Sequence, residues 1–473
     1  MNKETRVLII GAGEAGEMAV SEMFSHPELL LVPIAFVDDD PQKQGKKVKG
    51  IPVLGGREEI AGLAGKLSID EILIAIPSAT GKDIRTLARY CEKAKVRFKI
   101  VPGIREIIRG DFTINQIRTV ESDDLLGRET VEVDQSSLRN YLLGKKILIT
   151  GAGGSIGSEI LKRVLSFEPE EVVLFGRGEN SIFEAEADVR LASGKTRLLP
   201  VIADLKERRV VEKTVSRHKP DVVFHAAAHK HVHLMELHPV EAVKNNLLGT
   251  KFLIDSCIGT GTERFVMLST DKAVSPACVM GATKKLAEFF LGERAKGTHS
   301  TKLMAVRFGN VLGTRGSVVP VFKKQISQGG PVTVSDASAT RYFMTVKEAV
   351  LLVLQAGAIG TGGEVFVLDM GEPVRILDLA RELITFSGFV PEVEIQITFS
   401  GLRPGEKLTE ALWEKTETIR RTEHQKILVV TKKGELPFDL DKEITEIERL
   451  CATLDDQRVL DKLKELVPPL GKR

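Results

Sequence analysis

No window of this sequence carries the ~18 consecutive apolar residues that a membrane-crossing helix needs, so no transmembrane segment is expected. Cysteine is scarce: Cys91, Cys257, Cys278 and Cys451 are the only four in 473 residues. They are far apart and show no metal-ligand spacing, which points to reduced, mostly buried thiols in a reducing compartment. Neither sign of charge is in excess. The net charge is +2, without a basic tail or a long run of like charges, so nothing argues for nucleic acid or an acidic membrane surface. A signal peptide is also absent from the reading, because "MNKETRVLII" enters a strand almost at once. A cytoplasmic location is the expectation.

What the chain does have is room and alternation. Its length suits two or three domains. Strand "RVLII", the loop "GAGEAG" and the helix-like "EMAVSEMF" open a first α/β domain, expected over 1–103 as a Rossmann-like nucleotide-binding fold. Residues 104–143 lose any strong period and read as a connector. A second, larger series begins at "KKILIT" and continues through "EEVVLFG", "RLLPVIAD", "DVVFHAAA", "RFVMLST" and "KLMAVRFGNVLG". That is a six-strand doubly wound parallel sheet, expected over 144–430 with a substrate lobe from about Ser317. Residues 431–473 read as a helical tail.

Both series start with a glycine-rich loop between strand and helix. Gly11, Gly13 and Gly16 have the G-x-G-x-x-G spacing, with Asp38 at the end of the next strand to hold a ribose hydroxyl. No acid–base cluster follows in that domain. It therefore reads equally as a nucleotide site or as a structural and regulatory module. Gly151, Gly154 and Gly157 form the different pattern T-G-x-x-G-x-x-G. This loop resembles the cofactor loop of the extended short-chain dehydrogenase/reductase superfamily. The ribose-binding acid expected near Gly176 is missing from "LFGRGEN", and Arg177 puts positive charge where a 2′-phosphate would lie. NADP is thus favoured, with NAD possible. Asp204 is placed to meet the adenine, and Ala226 and Ala227 to line the dinucleotide with small side chains.

The chemistry is expected at the carboxyl end of "RFVMLST", where Thr270, Asp271 and Lys272 set a hydroxyl, a carboxylate and an ammonium side by side. The bland alternative is a hydrogen-bonded turn whose acid caps the next helix. Lys284 follows Met280 by four residues, the spacing of a Tyr-x-x-x-Lys pair, and both face one way on a helix. A thioether cannot exchange a proton near neutral pH. Met280 is either an apolar wall or the mark of a dead site, so any proton transfer falls to its neighbours.

"TDKAVSPACVMGATK", "HAAAHKHVHLME", "RFGNVLGTRGSVVPVF", "TRYFMT" and "GLRPGEKLTE" together resemble the nucleotide-sugar 4,6-dehydratases of bacterial polysaccharide biosynthesis, over roughly Asp124 to Leu412. The best-known activity of that family is UDP-N-acetylglucosamine 4,6-dehydratase, and its larger members share the methionine and an N-terminal domain. Many of those members carry transmembrane helices before that domain, which would make the natural protein membrane-associated. The resemblance implies that Thr270 holds the sugar's 4-hydroxyl, Lys272 takes the proton of carbon 5 and Asp271 protonates the departing 6-hydroxyl. It further implies cofactor contacts at Ser155, Ile156, Asn180, Leu205, Lys230 and Lys284. Lys230 and His231 are placed near the active site, with Glu236 in the helix that follows. Asn310, Arg315, Arg341, Arg403 and Glu406 are the expected nucleotide-sugar contacts, arginine's fork matching a diphosphate. The histidines of "HAAAHKHVHLMELHP" alternate in a loop-like region, and no metal is expected. A UDP-sugar 4-epimerase and a non-catalytic nucleotide-sensing scaffold stand as alternatives. At least a dimer is expected, as in extended members of the superfamily.

Overall fold

The computed structural model describes residues 4–79, 81–94, 96–101, 131–298, 300–387, 389–432 and 436–471. Residues 104–130 of the expected connector 104–143 lie outside them. Compactness divides the chain into two units that do not follow chain order. Unit 1 takes Met1–Glu129 together with Gly316–Ala337 and Ile376–Ser400; unit 2 takes Thr130–Arg315, Ser338–Arg375 and Gly401–Arg473. The expected domain 144–430 therefore supplies segments to both.

Unit 1 is built on four parallel strands: β1 (Thr5–Ile10), β2 (Leu31–Val37), β3 (Glu71–Ile74) and β4 (Arg97–Ile100), in the order β2-β1-β3-β4. Val7, Leu8, Ile9 and Ile10 are all buried, as a parallel strand covered on both faces requires. Helices α1 (Glu14–Ser25) and α2 (Gly81–Ala94) make the crossovers. The later segments add the helix Ile376–Phe386 and a parallel pairing of Val332–Val334 with Ile397–Phe399. Phe98 and Phe386 meet edge to face, 5.4 Å between centroids.

Unit 2 carries a nine-stranded sheet. Its strands are β5 (Lys146–Thr150), β6 (Glu171–Gly176), β7 (Arg197–Ile202), β8 (Val222–His225), β9 (Arg264–Leu268), β10 (Lys302–Arg307), β11 (Val365–Leu368), β12 (Glu417–Arg421) and β13 (Ile427–Lys432). The order is β7-β6-β5-β8-β9-β10-β11-β13-β12. The first six are the doubly wound series read from the sequence. Beyond them, β11 is parallel to β10, and β13 and β12 close the edge antiparallel. Side chains alternate between two cores: Ile147 and Ile149 face one, Leu148 the other. The first core is covered by α3 (Gln135–Leu142), α4 (Ser155–Leu165) and α7 (Val346–Ile359), and the second by α5 (Gly249–Thr260) and α6 (Val279–Gly297).

Residues 135–142, read as connector, are a helix whose Leu138, Tyr141 and Leu142 are buried in the first core. The helical tail is α8 (Leu440–Ala452) and α9 (Asp456–Leu466), and Ile444, Ile447, Val459 and Leu463 are fully buried in the second core. Truncating one such aliphatic side chain to alanine typically costs ~2–5 kcal/mol, so this segment is structural.

Candidate active site

The chain reverses direction across the sheet between β5 and β8, whose ends pair Thr150 with His225. A doubly wound sheet opens its ligand crevice at such a point. Gly151 has φ +67°, and a Cβ there would stand 2.8 Å from the amide nitrogen of Ala227; one on Gly157 would stand 2.2 Å from the oxygen of Gly151. Glycine is thus required at both positions by backbone packing. A Cβ on Gly154, the residue before α4, would meet nothing closer than 3.1 Å. The crevice is a cavity of about 330 Å³. Gly151, Gly154, Arg177, Asp204 and Leu205 line it, as do Ala226 and Ala227.

Other cofactor expectations fall around its edge. Ser155 and Ile156 begin α4, and Asn180 is exposed on the helix Glu179–Val189. Asp204 accepts from the Lys206 amide at 3.0 Å. Lys230 Nζ donates to Thr314 Oγ1 at 3.4 Å. Arg177 makes no hydrogen bond or ion pair within the described residues, leaving its guanidinium available at the cavity wall. Arg315, expected at the sugar, lines this same cavity: its amide donates to Ser155 Oγ at 3.0 Å, and its guanidinium to Gly153 O at 3.3 Å and Glu184 at 2.8 Å.

At the end of β9 the three chemical residues meet. Thr270 Oγ1 donates to Asp271 Oδ1 at 2.9 Å, and Lys272 Nζ donates to the same oxygen at 3.0 Å and to Asn310 Oδ1 at 3.2 Å. Asp271 is fully buried and its Oδ2 has no partner. A buried acceptor left without a partner costs ~1–3 kcal/mol. Burial pulls the Lys272 ammonium down, but Asp271 and Glu410, the latter 3.8 Å away, outweigh it and hold the lysine above its ordinary value. Lys272 is thus protonated in the resting site.

Helix α6 is pressed onto this turn: a Cβ on Gly281 would lie 2.1 Å from the carbonyl oxygen of Lys272. Cys278 Sγ accepts from the Gly281 amide at 3.2 Å, and Glu236 from the Val279 amide at 2.7 Å, so both fix the start of α6. Burial pushes the Cys278 thiol up to about 11, which removes it as a nucleophile. All four cysteines are free and buried. Met280 and Lys284 follow on α6, both buried. Burial lowers Lys284 to about 8, Glu288 opposing. His225, between Thr150 (2.7 Å) and Thr250 (2.9 Å), is held neutral first by burial and then by Lys284. His231 begins the short helix Val232–Leu237 and is also held low, chiefly by burial.

The remaining sugar-contact expectations divide. Asn310 is in the cluster. Arg341 donates to Thr340 O and Leu408 O at 2.7 and 3.1 Å, and its charge reaches Lys272. Arg403 is exposed, and its amide donates to Glu406 at 3.1 Å, closing a turn. Gly405 in that turn is needed because a Cβ would lie 2.8 Å from the Cβ of Cys278. Sequence reading missed Glu410, the last residue of "GLRPGEKLTE", and a buried network behind the site. In that network Ser269 donates to Glu288 at 2.6 Å, while Arg307 binds Glu288 and Glu417 through two hydrogen bonds each at 2.7–2.8 Å.

Residues 147–432 match a family described as polysaccharide biosynthesis protein, and residues 1–102 one described as CoA-binding domain. The chain is 49% identical over 414 residues to the probable polysaccharide biosynthesis protein EpsC of Bacillus subtilis, covering 87% of this chain and 69% of that one. It is 34% identical over 273 residues to a UDP-N-acetylglucosamine 4,6-dehydratase (inverting) of Campylobacter jejuni, covering 57% and 77%. It is 33% identical over 340 residues to a UDP-glucose 4-epimerase of Rickettsia canadensis, covering 69% and 96%. Among solved structures, Pen from Bacillus thuringiensis superposes with a TM-score of 0.57 at 32% identity, over 65% of this chain and 98% of that one. No helix among the described residues is long and apolar enough to cross a membrane.

Proposed function

The chain belongs to the polysaccharide biosynthesis protein family, and from that premise we propose that it is a UDP-N-acetylglucosamine 4,6-dehydratase using NADP. The observation that carries this reading is the Thr270–Asp271–Lys272 cluster with methionine at 280. Loss of water needs an acid and a base, and this pair is buried and hydrogen-bonded, with Asp271 Oδ2 left without a partner.

The crevice fits a nicotinamide dinucleotide. Gly151 brings the backbone close, Gly154 leaves space before α4, Ala226 and Ala227 keep the wall flat, and Arg177 stands free for a ribose phosphate. We assign Arg315 to that phosphate side as well, since it lines the same cavity. When bound, the dinucleotide supplies the chemistry of taking a hydride from carbon 4 of the sugar and giving it back at carbon 6.

The residues do the rest by moving protons. Thr270 orients the 4-hydroxyl, and its proton passes to the neutral amine form of Lys284, which burial makes accessible from about pH 8 upward. The resting ion pair, Asp271 carboxylate with Lys272 ammonium, becomes carboxylic acid with free amine when one proton crosses their 3.0 Å hydrogen bond. Lys272 then removes the proton of carbon 5 while Asp271 protonates the 6-hydroxyl, which leaves as water. The pair ends as ammonium and carboxylate. Lys272 returns its proton to carbon 5 as carbon 6 is reduced, and the proton held by Lys284 restores the starting state.

A 4-epimerase is the second reading, favoured by the likeness to the Rickettsia protein. Incubation with UDP-N-acetylglucosamine in heavy water separates the two. Loss of one water with one deuterium at carbon 5 is the expected product. Unchanged mass with a new epimer makes the chain an epimerase, and unchanged substrate removes both readings.

A further inference from the structure

Unit 1 has its own crevice at the carboxyl ends of β1 and β2, a cavity of about 640 Å³. That lies within the ~300–1,000 Å³ range of ligand and cofactor sites. Its three loop glycines have different reasons to be glycine. Gly11 has φ +103°, and a Cβ there would lie 2.7 Å from Ala75 O; one on Gly16 would lie 2.1 Å from Gly11 O. Packing inside the chain accounts for both. Gly13 is different: a Cβ there meets nothing within 4 Å, and its backbone is extended at φ −105°. A Cβ would fit there without touching this chain. Gly13 lines the cavity and precedes α1 without any side-chain cap, so the open space beside it and the first-turn amides face the crevice. A bare glycine at that point suits the close approach of a diphosphate.

The wall opposite decides which nucleotide. Asp38 Oδ2 accepts from the Ala12 amide at 2.8 Å and Lys43 Nζ at 3.0 Å, and Oδ1 from the Asp40 amide at 2.9 Å. That uses three of a carboxylate's ~four acceptor directions and leaves one for a hydroxyl. Glu14 and Asp39 also line the cavity, against Lys43 as the one cation among its described lining residues. The crevice of unit 2, with Arg177 and Arg315, has the opposite character. We propose that unit 1 binds a nucleoside diphosphate group whose ribose bears free 2′- and 3′-hydroxyls, held by Asp38, and rejects riboses phosphorylated there. Coenzyme A and NADP carry such phosphates; ADP and NAD do not. The inference stands apart from the reaction assigned to unit 2, and it narrows what the description CoA-binding domain would suggest.

Hydrogen exchange on the full chain tests it, because it reads each unit separately. ADP and NAD are expected to slow exchange across residues 8–18 and 36–44, and coenzyme A and NADP to do so about ten-fold more weakly or worse, the discrimination of one charge-assisted hydrogen bond. Gly13→Val should lower stability by no more than the ~1 kcal/mol of an N-cap exchange and lose this protection. Asp38→Ala should weaken ADP about ten-fold. Protection of these segments by coenzyme A or NADP at ADP's concentration or below overturns the proposal. Absence of protection by any of the four, or wild-type protection in Gly13→Val, does the same.

Discussion

Replacing Lys284 with methionine should stabilise unit 2 and destroy activity. Lys284 is 3% exposed, and its ammonium is lowered from the ordinary 10.5 to about 8, chiefly by burial. At ~1.4 kcal/mol per pH unit, holding that charge costs the folded chain up to about 3 kcal/mol. The sign follows from proton counts. Below pH 8 the folded and unfolded chains both carry the proton, and the whole cost is present. Between about 8 and 10.5 the folded chain has released the proton while the unfolded chain keeps it, so wild-type stability rises with pH in that window. Methionine, of similar length, removes the cost at every pH. The variant should therefore melt higher at pH 7, by roughly 6 °C at ~2 °C per kcal/mol, and the difference should fade toward pH 10.5. Trp413 is the single tryptophan and lies in unit 2, so its fluorescence reports this transition. A variant that melts lower than wild type at pH 7, or whose offset is equal at pH 7 and pH 10, refutes the reasoning.

Two further outcomes follow from the same geometry. Arg307→Met strands Glu288 and Glu417, both nearly fully buried, and should cost ~3–5 kcal/mol, seen as a large fall in the Trp413 transition. Arg177→Ala should raise the KM for NADP about ten-fold or more while leaving that for NAD nearly unchanged, since a charge-assisted bond to the 2′-phosphate is lost.

Strands β5, β6, β8, β9 and β10 were readable because each is a nearly unbroken apolar run, the pattern of a parallel strand buried on both faces. Gly151 and Gly157 were readable for a related reason: backbone contact leaves no residue but glycine. The C-terminal helices hid their role because periodicity reports an apolar face but not what covers it; only the fold shows Ile444 and Val459 in the core of β9. Arg315 is expected at the sugar on motif grounds; its guanidinium donates to Gly153 O of the glycine loop at 3.3 Å, a proximity that no spacing in the sequence announces. Glu410 was passed over for Glu406, four residues earlier in the same motif. Spacing in a loop does not say which acid turns inward, and only Glu410 comes within 3.8 Å of Lys272. The Arg307–Glu288 network joins residues 19 apart through β10 and α6, and no local pattern announces such a pair.

The account rests on Asp271 and Lys272 removing water across carbons 5 and 6 in a site that has methionine where a phenol would stand. Asp271→Asn tests this most directly, with formation of dehydrated UDP-sugar and dinucleotide affinity measured on the same preparation. The expected result is a loss of ~10²–10⁴ in dehydration rate at unchanged dinucleotide affinity. Dehydration within a few-fold of wild type would contradict it.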